Sequence, residues 1–177
     1  MIYKNETIEK SAVFRCAEMM AVAARTAPKA LGVDLIETLI LDGEDKDKLV
    51  ATMKKIGEET NRSFFIRDAG NIDRCPYVMF VGSDVKPRGL NCGLCGVKDC
   101  GAAASDGIAC ALSVNDLGIA LGSAAATAMD CRVDNRMLFT AGMAALEMKI
   151  FGDNIKICFG FGLSASGKNI FFDRPVK

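Results

Sequence analysis

Four of the eight cysteines fall within nineteen residues, in a segment that is rich in Gly, Lys, Asp and Ala. Their spacing is Cys-x2-Cys-x4-Cys-x9-Cys, formed by Cys92, Cys95, Cys100 and Cys110. Residues 83–110 contain few large apolar side chains, so hydrophobic packing alone would leave this segment poorly ordered. A metal centre bound by the cysteines would order this segment. The chain is therefore expected to present a cysteine loop, at about residues 83–112, from a packed scaffold.

The spacing of these cysteines favours a 4Fe-4S cluster over zinc. Cys92 and Cys95 are close enough in sequence to reach one metal ion or two corners of one cluster. Gly93, Gly96 and Gly101 free nearby backbone N–H groups to turn toward sulfur. A structural zinc site also accepts four cysteines, but commonly as two short pairs, and only the first pair is short here.

The fourth ligand has two candidates. Cys110 continues the loop, whereas Cys75 precedes Pro76, like the last cysteine of bacterial ferredoxin motifs. Because Cys75 lies upstream of the loop and leads into an apolar strand, we favour Cys110 and keep Cys75 as the alternative. The remaining cysteines have apolar neighbours and are expected in the core; they are Cys16, Cys131 and Cys158.

The composition excludes several kinds of chemistry, because the chain contains no histidine. Ser-His-Asp hydrolysis, His-ligated catalytic zinc, Rieske centres and His-ligated haem all require an imidazole. The 22 basic and 22 acidic side chains cancel, so no net charge draws the protein to nucleic acid or anionic lipid. Chemistry is expected from a cofactor, a carboxylate, a lysine or a thiolate.

Length and hydropathy predict a single cytoplasmic domain over residues 1–177. The apolar stretches are too short or too interrupted to span a bilayer, so no membrane association is expected. The first residues lack the basic segment and apolar core of a secretory signal. A chain of 177 residues can bury a core without a metal or a disulfide.

Hydrophobic periodicity predicts an α+β chain. Helices are expected at residues 5–27, 45–59 and 116–131 and through Leu138, Ala141, Ala145 and Met148. Ser113 and Asp116 form a capping-box-like pair for the third helix, and a polar break is expected at residues 134–135. Strands are expected at residues 35–41, 64–66, 77–82, 155–159 and 170–172.

Five segments together resemble a family of bacterial and archaeal proteins that contain a ferredoxin domain, called domain of unknown function 2148. They are ARTAPKALGVD at 24–34, LNCGLCG at 90–96, DLGIALGSA at 116–124, VDNR at 133–136 and GKNIFFDR at 167–174. The resemblance covers nearly the whole chain. It supports the cluster ligands but implies no particular activity.

A weaker resemblance is to the FMN-dependent nitroreductase fold. Ala27 and Pro28 follow the first helix, and residues 159–162 precede Lys168 and Arg174. The resemblance implies a central mixed, largely antiparallel sheet flanked by helices, with the cysteine loop inserted. It further implies FMN and a homodimer with flavin sites between subunits. Lys29 stands where that fold has serine.

Six residues are candidates for binding the flavin: Arg25, Lys29, Gly122, Ser123, Lys168 and Arg174. The four cations can supply charge-assisted bonds to a phosphate or can be solvated surface charges. The two small residues can approach an isoalloxazine ring, although such residues in a helix more often indicate close helix packing.

The leading functional hypothesis is an iron-sulfur redox protein, with a 4Fe-4S cluster and a possible FMN. It would exchange electrons with a redox partner protein or a small-molecule electron acceptor. Two alternatives remain open: a zinc-stapled interaction domain without catalysis, and a cluster sensor or carrier.

Overall fold

The computed structural model describes residues 1–172, so Arg174 lies outside the described residues. The helices are α1 (Asn5–Thr26), α2 (Gly43–Glu59), α3 (Ser63–Asp73), α4 (Cys100–Ser105), α5 (Ala111–Asp130) and α6 (Phe139–Glu147). The strands are β1 (Ile36–Leu41), β2 (Tyr77–Ser83), β3 (Asp134–Leu138) and β4 (Ile157–Ser164). A 3-10 turn, Ala30–Gly32, connects α1 to β1. The α+β class expected from the sequence is confirmed.

The four strands form one antiparallel sheet in the order β1-β2-β4-β3. All seven residues of β2 are buried, because helices cover both faces of the sheet. Met79 and Val81 pack with α1 and α5 on one face. Val78 and Phe80 pack with α2, α3 and α6 on the other. This two-sided burial explains why β2 reads as a continuous apolar run rather than an alternating one.

Helix α6 lies directly against the sheet at Gly142. A Cβ atom at this position would overlap the carbonyl oxygen of Cys158 on β4. Nearby, a Cβ atom at Gly160 would stand 2.9 Å from the Cβ of Ala141. Small residues on both elements therefore set the distance between this helix and the sheet.

Three sequence predictions about secondary structure are wrong. Residues 64–66, expected as a strand, belong to α3, since Phe65, Ala69 and Ile72 are buried at helical spacing. The expected break at residues 134–135 is the start of β3, a half-exposed edge strand whose polar residues tolerate solvent. Residues 170–172 form a turn, in which the Phe171 N–H donates to Asn169 Oδ1.

Two more differences concern positions near α5. The helix begins at Ala111, with Cys110 as its N-cap, so Ser113 and Asp116 lie inside the helix and do not cap it. Cys131 follows the helix and is exposed rather than buried, whereas Cys16 and Cys158 are buried as expected. Among residues 1–172, none of the helices has the length and apolarity needed to cross a membrane.

Candidate functional site

All four cysteines of the loop line one pocket. Cys92 and Cys95 come from the segment after β2, Cys100 begins α4, and Cys110 is the N-cap of α5. Exposure decreases along the series: Cys92 is exposed, Cys95 and Cys100 are half-buried, and Cys110 is buried. The pocket therefore has one open side and one closed side.

Glycines shape the first turn of this loop. Gly93 has φ 76° and Gly96 has φ 74°, a left-handed conformation that side chains disfavour. The Gly96 N–H donates to the Gly93 carbonyl oxygen at 3.0 Å, which closes the turn. This turn lets Cys92 and Cys95 both reach the pocket.

Asn91 and Cys100 bond to each other in both directions. The backbone N–H of Asn91 donates to Cys100 Sγ at 3.3 Å. In return, the Cys100 N–H donates to Asn91 Oδ1 at 2.9 Å. Asp99 caps the same helix, because its Oδ1 accepts the Ala102 N–H at 2.9 Å. Local polar contacts thus hold the third cysteine in position.

Cys95 also receives an N–H donor at the start of α5, where Cys110 lies. The Ala111 N–H donates to Cys95 Sγ at 3.3 Å. Burial raises the pKa of Cys110, but hydrogen bonds from the Ser113 backbone and side chain and from the backbones of Arg88 and Leu112 outweigh it, so the net pKa is lowered. These donors favour a thiolate, the form of cysteine that binds metals.

The ligand set itself remains a prediction. Within residues 1–172, no three or more Cys, Asp or Glu side chains are grouped as they would be around a metal ion. The donor set nevertheless fits a thiolate-bound centre, since two of the four sulfur atoms, those of Cys95 and Cys100, accept backbone N–H bonds.

Cys75, the alternative fourth ligand, lies two residues before β2, where it is buried. Its Sγ donates to the Asn71 carbonyl oxygen at 3.2 Å. Burial raises the pKa of this thiol to about 12. Unlike Cys110, it is not among the residues that line the cysteine pocket.

Arg88 and Asp116 connect the cysteine pocket to the end of α1, and neither was identified as a site residue from the sequence. Arg88 lines the pocket and pairs with Asp116, whose two oxygens also accept the Ala30 N–H at 3.0 and 3.1 Å. The capping-box pattern predicts for Asp116 only a role at the start of its own helix. No sequence signal indicates these contacts, which join residues 28 and 86 positions apart.

Two predicted flavin ligands, Arg25 and Lys29, make internal contacts at the end of α1. Lys29 Nζ donates to the carbonyl oxygens of residues 24, 25 and 27 at 2.9, 2.6 and 2.7 Å. Burial, the largest cause, lowers its pKa despite the opposing charge of Asp34. Arg25 Nε pairs with Asp34 Oδ2 at 2.7 Å. Lys29 has no N–H left for a phosphate while these bonds are present.

Three other predicted flavin residues fall within residues 1–172, where they lie in two regions. Gly122 and Ser123 lie on α5, and the Ser123 hydroxyl donates to the Ala23 carbonyl oxygen at 3.1 Å. This bond ties α5 to α1, as expected for close helix packing. Lys168 is exposed in the segment after β4. Gly122 and Ser123 thus lie on the helix that packs against α1, which carries Arg25, whereas Lys168 lies in another segment of the chain.

Solved structures with a similar fold include nitroreductases and a BluB-like flavoprotein. The nitroreductase CinD from Lactococcus lactis, in complex with nicotinic acid, has a TM-score of 0.61 at 15% identity, covering 94% of this chain and 81% of its own. A nitroreductase with bound FMN from Desulfitobacterium hafniense has a TM-score of 0.58 at 13% identity, covering 95% and 81%. A BluB-like flavoprotein from Clostridium difficile has a TM-score of 0.56 at 14% identity, covering 100% and 86%. The nitroreductase-like fold predicted from the sequence is confirmed.

Sequence comparison adds the family. An uncharacterized protein of Archaeoglobus fulgidus is 34% identical over 184 residues, which cover 99% of this chain and 96% of the relative. Residues 106–174 match the family model described as "Uncharacterized protein containing a ferredoxin domain (DUF2148)". Together with the cysteine loop, these matches show that the chain belongs to this family of ferredoxin-domain proteins.

Proposed function

We propose that this protein is an iron-sulfur redox protein whose cluster is bound by the four cysteines of the pocket. The observation that carries the proposal is their shared pocket, with Cys92 at its open side and Cys110 at its closed side. A 4Fe-4S cluster, when bound, accepts and releases one electron at a time. The family's ferredoxin domain supports this class of chemistry.

The chain's own groups fit a negatively charged centre. Backbone N–H groups of Asn91 and Ala111 donate to Cys100 and Cys95. Such donors stabilise charge on sulfur and orient the ligands. Burial of Cys110 keeps water from one side of the pocket, while the exposed position of Cys92 leaves a short path to an electron partner. That partner is a redox protein or a small-molecule acceptor.

Cys110 is the fourth ligand in this proposal. It lines the same pocket as the other three cysteines, whereas Cys75 is buried just before β2 and bonds to Asn71. Moving Cys75 into the pocket would require breaking that core contact. Cys110→Ser is therefore expected to reduce cluster content strongly and Cys75→Ser to leave it unchanged.

Anaerobic reconstitution with iron and sulfide tests the proposal. Wild-type protein is expected to hold about four iron and four sulfide per chain, with the broad visible absorption of a 4Fe-4S cluster. Cys92→Ser is expected to lose most of this absorption. Cys131→Ser is the matched control, because Cys131 is also exposed but lies outside the pocket.

Other outcomes distinguish the remaining hypotheses. If the protein is colourless, holds one zinc per chain and unfolds when the metal is chelated, the proposal is wrong and the protein is a zinc-stapled interaction domain. A cluster that is transferred to an apo-protein acceptor, without any reversible reduction, would indicate a carrier. Equal cluster content in wild-type protein and in Cys92→Ser would show that the pocket is not the binding site.

A flavin is the second cofactor to test, because one similar structure is a nitroreductase with bound FMN. Lys29 does not fit the role of phosphate ligand, since its ammonium donates to three carbonyl groups. Titration of FMN with the protein, followed by quenching of flavin fluorescence, measures whether any site exists.

We also propose that the protein is a homodimer. Exposed apolar side chains on α1 and α5 support it; among them are Ile8, Met19, Val22, Ile119 and Met129. The small residues of α5 already pack against α1 within the chain, so the interface would use these exposed side chains instead. Light scattering coupled to size exclusion tests this, and a stable monomer would exclude it.

A further inference from the structure

The guanidinium group of Arg88 has one nitrogen without a partner. Its Nη1 donates to the Val33 carbonyl oxygen at 2.6 Å, and its Nη2 pairs with Asp116 Oδ2 at 2.5 Å. Within residues 1–172, Nε is buried and makes no hydrogen bond. The whole side chain is only 3% exposed. Solvent therefore does not satisfy this N–H.

A buried N–H without an acceptor destabilises the folded state, and more so when it belongs to a charged group. Two bonds already hold the planar guanidinium, so Nε cannot rotate toward another acceptor without breaking them. The same side chain lines the pocket of the four cysteines. An unsatisfied donor beside four sulfur atoms indicates an acceptor that the protein itself does not supply.

We infer that Arg88 Nε–H donates a hydrogen bond to a sulfur atom of the bound cluster. This inference rests on the proposed function, because it needs a cluster in the pocket. The acceptor is an anionic sulfur, either a bridging sulfide or a cysteine thiolate. A donor of this kind stabilises the more negative, reduced state of the centre and raises its reduction potential.

The backbone of Arg88 reinforces this assignment. The segment that leads to Arg88 is tied to the start of α5, because the Cys110 N–H donates to the Val85 carbonyl oxygen at 2.8 Å and the Ser113 hydroxyl donates to the Lys86 carbonyl oxygen at 2.9 Å. Arg88 is therefore held near the closed side of the pocket at its main chain. At its side chain it is held by Asp116, which lies on α5 a little further along the same helix that Cys110 caps. Both ends of Arg88 are thus fixed relative to one cluster ligand.

The direct test is spectroscopic and uses the wild-type protein. Arginine labelled with 15N at Nε alone is incorporated, the reconstituted cluster is reduced with dithionite, and pulsed EPR measures coupling to 15N. A coupling is expected from the labelled side chain. It should disappear in Arg88→Lys, which keeps the positive charge but lacks Nε, and persist in Arg67→Lys, whose side chain lies on α3 away from the pocket.

Redox titration provides the second readout. Arg88→Lys is expected to hold the cluster but to titrate at a lower potential than wild-type protein, while Arg67→Lys titrates unchanged. A loaded wild-type cluster without 15N coupling would overturn this inference alone. Wild-type protein without iron and sulfide would overturn the proposed function, and this inference with it.

Discussion

Arg88 and Asp116 form an ion pair with 2.5 Å between Nη2 and Oδ2, and both side chains are 3% exposed. The pair links three parts of the chain, because Arg88 borders the cysteine pocket, Asp116 lies on α5, and Asp116 also accepts the Ala30 N–H. A single carboxylate therefore holds the cysteine segment and the turn after α1 to the same helix.

Removing the charge of this carboxylate should destabilise the fold. Asp116→Asn leaves Arg88 buried without an anionic partner, which is expected to cost about 3–5 kcal/mol in the free energy of unfolding. Urea denaturation of the metal-free protein measures it. Asp153→Asn is the control, because its pair with Lys149 is exposed and worth about 0.5 kcal/mol or less. Equal small effects would show that the buried pair is not a stabilising contact.

Replacing each of two helical glycines by alanine should change the free energy of unfolding in opposite directions. Gly142→Ala places a Cβ against the Cys158 carbonyl oxygen and is expected to lower the free energy of unfolding by about 3 kcal/mol or more. Gly118→Ala meets nothing within 4 Å and should raise it by about 0.5–1 kcal/mol through helix propensity. Thermal unfolding of both variants gives the comparison. A neutral Gly142→Ala would contradict the close packing of α6 on β4.

The cysteines outside the loop should differ in reactivity. Cys131 is exposed, whereas Cys16, Cys75 and Cys158 are buried. Burial is the largest cause that raises the pKa of each buried thiol to about 12. Iodoacetamide at neutral pH is therefore expected to label Cys131 in the folded protein and the other three only in urea. Peptide mass spectrometry identifies the sites, and rapid labelling of Cys75 or Cys158 would contradict their burial.

Stability should fall in alkaline solution for the same reason. In the unfolded chain a thiol loses its proton near pH 9, whereas folded Cys158 keeps it to about pH 12. Above pH 9 the unfolded state binds fewer protons, so the free energy of unfolding decreases as pH rises. The loss is about 2 kcal/mol for this thiol at pH 10.5. Urea denaturation at pH 8 and 10.5 measures the decrease in the free energy of unfolding. This decrease should be smaller in Cys158→Ala than in wild-type protein. Equal decreases in the two proteins would exclude Cys158 as a cause.

Local patterns predicted much of the fold. Helix α1 and strand β2 were found from the spacing and continuity of their apolar residues, which burial on nearby elements requires. The same rules failed for α3, because the apolar run at residues 64–66 is too short to separate a strand from a helix. They failed for β3, because an edge strand need not be apolar.

The sequence by itself determined which ligand types are available, because the glycine-turned loop supplies thiols and the chain contains no histidine. Ligand types and turn residues are local properties. Only the tertiary structure decided which groups surround those thiols. Arg88 meets Asp116 across 28 residues, and Ala30 meets it across 86. Such contacts depend on how the helices pack over the sheet, and no spacing rule encodes them. The unsatisfied N–H donor at the pocket, Arg88 Nε, can be identified only from that packing, because its burial depends on it.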